Sequence, residues 1–539
     1  MRRHLRAARC RSAERLGEIV CALVLAALLS APIAMAQDPA AQRLFDESDR
    51  LLAGDQQEQA LDTLRLLLRQ FPNDELSPRA LLRVARLERS LGDVSSARAS
   101  LERLIGEYGR TPQAASAFVD KAEMQLEAAR GSADLEAVRT TYRRIPLLYG
   151  ADVYPRLAAR SQARLESARL GLLLGDLEGA IAELVPALED EPASLATGRI
   201  RLLLGQALLL QGRLEQGLDE LQRLVDDPSP VGDGAAAPQA SASDLAAADT
   251  PIATSTADDR RHAARLISLA HRHMVRPRSG AARFARVLRW PSAGPTLREP
   301  IAVATSPNGE ILVVDDELPA AVLLDAAGSP MRSATVEDVE SAGMTSDGTA
   351  VVVTDRELIL PFEGQRLNFL QPRSGREAPL RGMRAAARGP FGDWFVVARG
   401  WRGVLDYKSR REGQELLSST RPEFVDVERD ELGRIYLLDA ENERLVRLGI
   451  DRRSVDPVVL GQNWRRPAAF ALDALGQVYV LDARQRTVTL YDRRGRQIEV
   501  FGPNLGDGIE LRKPRDVAVD ASGRLLIADA STPFLIVLD

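Results

Sequence analysis

Lys513–Asp539 reads KPRDVAVDASGRLLIADASTPFLIVLD. It divides into an apolar strand (Val517–Val519), a turn (Asp520–Gly523), a buried strand (Leu525–Ala528), an acid (Asp529) and a third strand (Phe534–Leu538). The same order of residues recurs upstream. Turn glycines Gly309, Gly348, Gly392, Gly433, Gly476 and Gly523 each stand ahead of a short apolar run: EILVV, TAVVV, DWFVV, RIYLL, QVYVL and RLLIA. An acid closes five of the six runs (Asp315, Asp355, Asp439, Asp482, Asp529), and Arg399 takes its place in the third. Several short strands repeated at a period of roughly 40 to 45 residues mark β-propeller blades, so six units predict six blades.

Each part of the repeat has its own physical reason. Pairs such as Asn308-Gly309 and Asp347-Gly348 supply the positive φ that tight turns need. The run after each glycine is apolar on both faces, as an inner strand between neighbouring blades requires. The closing Asp can accept hydrogen bonds from turn amides, which gives it a structural role. Prolines Pro300, Pro422, Pro467 and Pro514 open four of the units. Blades two and three (Val336–Gly364 and Leu380–Lys408) lack that proline. The pattern of proline, strand, turn glycine, strand and Asp resembles the NHL-type six-bladed propeller, over residues 283–539. Ring closure is also legible. Phe284–Pro300 (FARVLRWPSAGPTLREP) matches Ile498–Pro514 (IEVFGPNLGDGIELRKP), which supplies an outer strand to blade five. Phe284–Leu288 is therefore expected to pair with the C-terminal blade and remove its exposed edge.

The 539-residue chain is too long for one core. Residues 1–36 read as a secretory signal: six arginines from Arg2 to Arg15, an apolar run from Ile19 to Ile33, and Ala34-Met35-Ala36 as the cleavage site. That run is short of the ~20 residues needed to span a bilayer. Export to the periplasm or beyond, with no stable membrane insertion after cleavage, is the expectation. Both cysteines, Cys10 and Cys21, fall in this segment, so the mature chain would carry no thiol. Removing its six Arg and two Glu from 71 basic and 76 acidic residues leaves 65 against 74. That acidic balance disfavours nucleic acid as a partner.

Residues 37–228 change to Leu/Ala-rich amphipathic helices. Breaks at Gly54-Asp55, Gly92-Asp93, Gly175-Asp176 and Gly212-Arg213 each end a helix. Small residues follow at Ala60, Ala97, Ala180 and Gly217, where two helices must approach closely. The pairs Ala85/Ala97, Ala168/Ala180 and Gly205/Gly217 resemble the two small positions of the tetratricopeptide repeat. The resemblance implies an α-solenoid of about five helix pairs, whose first helices line a concave face. By that motif Arg79, Arg86, Arg89, Arg169, Arg199 and Gln206 face the groove. Guanidinium forks there could hold a partner's carboxylates, or the residues could be ordinary solvated surface.

Residues 229–257 are rich in Pro, Gly, Ala, Ser, Thr and Asp and are expected to be a flexible linker. Residues 258–282 read as a connecting helix that docks through Ala263, Leu266, Ile267, Ala270 and Met274. His271 and His273, two apart, make a poor metal pair.

The propeller segment has no His and no Cys. A lactonase-like propeller would bind calcium through Glu, Asn and Asp, and Asp315, Asp355, Glu423, Asp439, Asn442 and Asp482 are the available candidates. The repetition of the acids at equivalent positions favours structure over one asymmetric site. Trp401, between Arg399 and Arg402, is either an anchor for a protein or glycan partner or a gap-filler in the third blade. The sequence therefore points to an exported, non-enzymatic scaffold with no cofactor or metal, binding protein or peptide partners. A calcium-dependent propeller hydrolase or lyase, or a surface glycan binder, are the alternatives.

Overall fold

The computed structural model describes residues 38–129, 131–155, 157–190, 197–226, 257–280, 282–291, 297–372, 378–417, 422–461 and 463–539. The expected signal segment and all but the last residue of the expected linker lie outside the described residues. The chain forms two compact units, one ending at Ala117 and a second comprising Phe118–Asp539.

The first unit holds the helix pairs Pro39–Ala53 with Gln57–Gln70 and Ser77–Ser90 with Val94–Glu107. Asp38 caps the first helix by accepting from the Ala40 amide at 2.7 Å. Ala60, Ala85 and Ala97 are buried where the helices of each pair meet. Gly92 ends its helix at φ 86, as the repeat requires. At the first break the left-handed residue is Asp55 (φ 58), whereas Gly54 stays at φ −91. A short polar side chain tolerates that conformation, so the break shifts by one residue.

The second unit holds helices Ser132–Leu148, Ala158–Leu174, Leu177–Asp190, Thr197–Gln211 and Leu214–Val225. Gln125 of helix Pro112–Ala128 accepts from the Thr141 hydroxyl of the first of them at 2.9 Å. The last pair packs glycine on glycine. A Cβ on Gly205 would meet Leu221 Cγ at 2.5 Å, and one on Gly217 would meet the Gly205 carbonyl at 3.0 Å. Arg139, 2% exposed, is held by Asp176 at 2.9 Å and Glu183 at 3.1 Å. The connecting segment forms helix Ala257–Ala270, a π turn His271–Val275 and a 3-10 turn Arg276–Ser279.

Six four-stranded antiparallel blades follow. Their inner strands are Pro300–Thr305, Val339–Met344, Met383–Arg388, Phe424–Arg429, Pro467–Leu472 and Pro514–Val519. All six turn glycines have positive φ, between 74° and 92°. The second strands of five blades are buried along their whole length, and the sixth, Trp394–Ala398, has only Trp394 half-exposed. This is the double-sided burial that the apolar runs demanded.

The ring closes near the expected Phe284–Leu288, but the paired strand starts three residues later and ends two residues later. Val287–Trp290 pairs with Leu535–Leu538, in the register Val287↔Leu538 to Trp290↔Leu535. Two further bonds run from the Ala285 and Arg286 amides to the Asp539 carbonyl at 2.7 and 3.0 Å. The Asp539 side chain takes Arg272 and Arg286, each at 2.7 Å. Burial opposes its ionisation, but these guanidiniums outweigh it and hold the carboxyl below its usual range.

The closing acids need one correction. The residue opposite the start of the inner strand is Asp315, Asp439, Asp482 or Asp529 in four blades. In blade two it is Thr354 and in blade three Ala398, so Asp355 and Arg399 each lie one position further on. Thr354 receives the Arg356 and Glu357 amides on its hydroxyl, at 3.3 and 3.1 Å. A neutral hydroxyl thus does there what a carboxylate does elsewhere.

Candidate functional site at the propeller channel

The inner strands give the propeller channel two different ends. Their first residues form one mouth and the turns that follow them form the other.

At the turn end a cavity of about 130 Å³ is lined by residues such as Ser306, Thr345, Arg429, Asp473 and Asp520. The chain's own helices sit against this end. Leu266, Leu269 and Ala270 pack with Leu209, Leu221 and the turn residues Ala474 and Leu475. Gln206 donates to Glu431 Oε2 at 2.9 Å, and His262 Nε2 lies 3.5 Å from the same oxygen. Arg265 donates to the Pro307 carbonyl at 2.9 Å. His273 Nε2 lies 3.1 Å from the Gly523 carbonyl. Two turn glycines serve as seats. A Cβ on Gly309 would meet Arg265 Cζ at 2.8 Å, and one on Gly523 would meet Leu269 Cδ1 at 2.6 Å. Burial pushes His273 down to about 3. For His262 burial acts in the same direction, but Glu431 outweighs it and the imidazole rises above its ordinary value. Burial also lifts Asp473 to about 7, against the amides of Leu475 and Gln477 that bond it.

Among the described residues the other mouth is open and basic. A cavity of about 560 Å³ is lined by Arg384, Arg399, Arg465, Arg466 and Arg515, with Glu340 and Glu423 among them. Each inner strand begins with a β-bulge, whose extra residue is Ile301, Glu340, Arg384, Val425, Ala468 or Arg515. Bulges re-aim side chains, and all six of these residues line the mouth. Arg399 pairs with Glu340 at 2.5 Å, and Arg384 with Glu423 at 3.4 Å. Arg465, Arg466 and Arg515 are exposed and have no side-chain partner among the described residues. Asp426 and Asp516 lie on the wall, one residue past the bulge. Asp426 accepts from Val427 at 2.8 Å and from Phe470 of the next blade at 3.1 Å. Asp516 does the same with Val517 and with Val303 of the adjoining first blade, at 2.8 and 2.9 Å. Each clasps two inner strands. Burial lifts Asp426 to about 6. Burial together with the charge on Asp426 lifts Asp516 to about 8.

The residues singled out in the sequence fall in several places. Arg79, Arg86 and Arg89 share helix Ser77–Ser90 of the first unit and are half-buried, with Arg79 over the Phe45 ring at 5.0 Å. Arg169 is exposed and bonds Glu166 at 3.1 Å. Arg199 lies 3.8 Å from Asp259, and Gln206 is buried on Glu431, so both face other parts of the same chain. Arg399 reaches the open mouth. Trp401 is half-buried beside the cluster of Val351, Phe369 and Leu405. Arg402 is exposed, with its amide on Glu415 Oε1 at 3.2 Å. Among the calcium candidates, Asp315, Asp439 and Asp482 receive backbone amides, for example Arg298 on Asp315 at 2.6 Å. Asn442 donates to Asp439 at 2.8 Å, and Asp355 is part-exposed beyond its strand. Among the described residues no group of three or more His, Cys, Asp or Glu is arranged to hold a metal ion. Sequence reading missed Arg384, Arg465, Arg466, Arg515, Asp426 and Asp516. Aligning the blades at their opening residue and asking where they differ, rather than where they agree, would have found them.

Fold and site together define a tetratricopeptide-repeat helical array followed by a six-bladed β-propeller. The family model described as Tetratricopeptide repeat matches residues 79–111, the second helix pair. No curated protein matches the chain. Among solved structures it is similar to virginiamycin B lyase from Staphylococcus aureus, at 10% identity and TM-score 0.33, over 45% of this chain and 81% of that one. It is also similar to an auxiliary nutrient binding protein from Bacteroides thetaiotaomicron, at 11% identity and TM-score 0.37, over 47% and 71%. A tetratricopeptide repeat protein from Parabacteroides merdae matches at 14% identity and TM-score 0.27, over 35% and 66%.

Proposed function

We propose that the protein is an exported, non-enzymatic scaffold that binds protein or peptide partners on its helical repeats and at the open propeller face. The observation that carries this reading is the asymmetry of the channel: its turn end is occupied by the chain's own helices, and its other end presents a basic cavity. Residues 283–539 contain no imidazole and no thiol, so two common kinds of general base and nucleophile are not available there. Helix Ser77–Ser90 offers Arg79, Arg86 and Arg89 as one stripe, suited to acidic side chains of a partner. Trp401 and Arg402 follow Arg399 in the turn after Trp394–Ala398 and are further candidates for partner contact. No described helix is long and apolar enough to cross a membrane. Export rests on the segment 1–36.

The test is affinity capture from envelope extract with the full mature chain, beside Arg86→Ser/Arg89→Ser and Arg399→Ser/Arg402→Ser variants. A discrete partner that is lost from one variant and kept by the other supports the scaffold and says which face holds it. Stoichiometric calcium on the purified chain, with hydrolysis of a lactone panel, would replace this reading by the enzymatic one.

A further inference from the structure

We infer that the open mouth of the channel is a binding site for a small oxyanion ligand, a polycarboxylate or a phosphate. The inference rests on the open face being a binding surface and adds the chemistry of what it takes. Five arginines line one concavity, and among the described residues only Arg384 and Arg399 have a carboxylate partner on the rim. Arg465 and Arg466 come from the loop that enters blade five, and Arg515 from the bulge of blade six. Like charges drawn together without counter-charge repel, and an oxyanion relieves that repulsion while accepting forked hydrogen bonds from two guanidiniums at once. The volume, about 560 Å³, is that of a small-molecule site rather than a flat protein footprint. The acids nearby do not cancel the field. Glu340 and Glu423 are committed to Arg399 and Arg384, and Asp426 and Asp516 are turned to backbone amides of the ring wall. Burial lifts both wall carboxyls towards neutrality, which further lowers the negative charge beneath the mouth.

Titration calorimetry on the full mature chain tests the site with citrate and inorganic phosphate as probes, in buffers matched for ionic strength with sodium chloride. Saturable binding of either is expected at one site, and the stronger of the two tells which source of oxyanion the mouth prefers. Arg465→Ser/Arg515→Ser should weaken it by about tenfold or more, and Arg465→Lys/Arg515→Lys by less, because a lysine keeps the charge and loses the fork. Arg494→Ser, on the outer turn of blade five, should leave it unchanged. The lysine pair keeps the test valid if the serine pair folds poorly. Equal weakening by Arg494→Ser, or heats that sodium chloride reproduces, would overturn the site. A protein partner still captured by a chain that binds neither probe would remove the anion site and leave the scaffold reading standing.

Discussion

The two ends of the propeller channel are built from the same six strands and have opposite fates. At the turn end every blade offers a tight turn, and the glycines that make those turns also leave flat seats on which Arg265 and Leu269 rest. At the other end every blade offers a bulge, and the bulge residue is free to be Ile, Glu, Arg, Val or Ala. One end is constrained by backbone geometry and is used for packing. The other is unconstrained by the fold and carries charge. Repetition thus marks what holds a propeller together, and departures from it mark what distinguishes one propeller from another.

The comparison breaks most severely at Gly523. Gly523→Val would combine a strained φ of +82° with a Cβ at 2.6 Å from Leu269 and 2.8 Å from His273. A loss on the order of 3 kcal/mol or more is expected in chemical denaturation, with earlier proteolytic cleavage of the helix Ala257–Ala270. A rigid-scaffold account of the turn end fails if stability is unchanged. Next comes the clasp at the open end. Asp516→Ala strips an acceptor from the Val303 and Val517 amides, at a cost of about 2 kcal/mol.

The pH dependence of the open-end wall carboxyls and of the turn-end His273 should differ in sign, with Asp473 at the turn end following the carboxyls. Asp426 and Asp516 have raised values in the folded chain, about 6 and about 8, so their contribution is fully present below the ordinary carboxyl value of about 3.8 and is lost as pH rises towards 8. His273, lowered to about 3, stabilises the neutral form, and its contribution is lost as pH falls from 6.5 towards 3. Asp516→Asn should therefore flatten the alkaline limb of a stability–pH curve, and His273→Gln the acidic limb. Identical curves for both variants and the parent would show that neither burial matters. The smallest effect is expected at Arg399→Ser. It breaks an exposed pair with Glu340 and should change stability by less than about 1 kcal/mol.

Much of this architecture was legible because it is local. The turn glycines, the apolar runs and the closing strand each declare themselves within a few residues, and six copies reinforce the reading. The displaced acid in blade two was not legible, because Thr354 and Asp355 are neighbours and only the ladder shows which of them faces Val339. Docking of the helices was half legible. The stripe Ala263, Leu266 and Ala270 announced a packed face, but its partners Leu209 and Leu475 are distant in sequence and have no pattern pointing to them. The same holds for Gln206, which reads as a groove residue and is buried on Glu431. The basic mouth was hidden for another reason. In a chain whose bases are almost all arginine, Arg465, Arg466 and Arg515 look like any others until the ring gathers them.

The strand Val287–Trp290 that completes the sixth blade has a consequence for how the molecule is made. It leaves the ribosome before any blade, and its mate at Leu535–Leu538 follows all six inner strands, so the ring stays unsealed while those strands are made. During that interval the waiting strand can be borrowed by the unfinished ring of a neighbouring nascent chain, which would join two molecules by exchange of an identical piece.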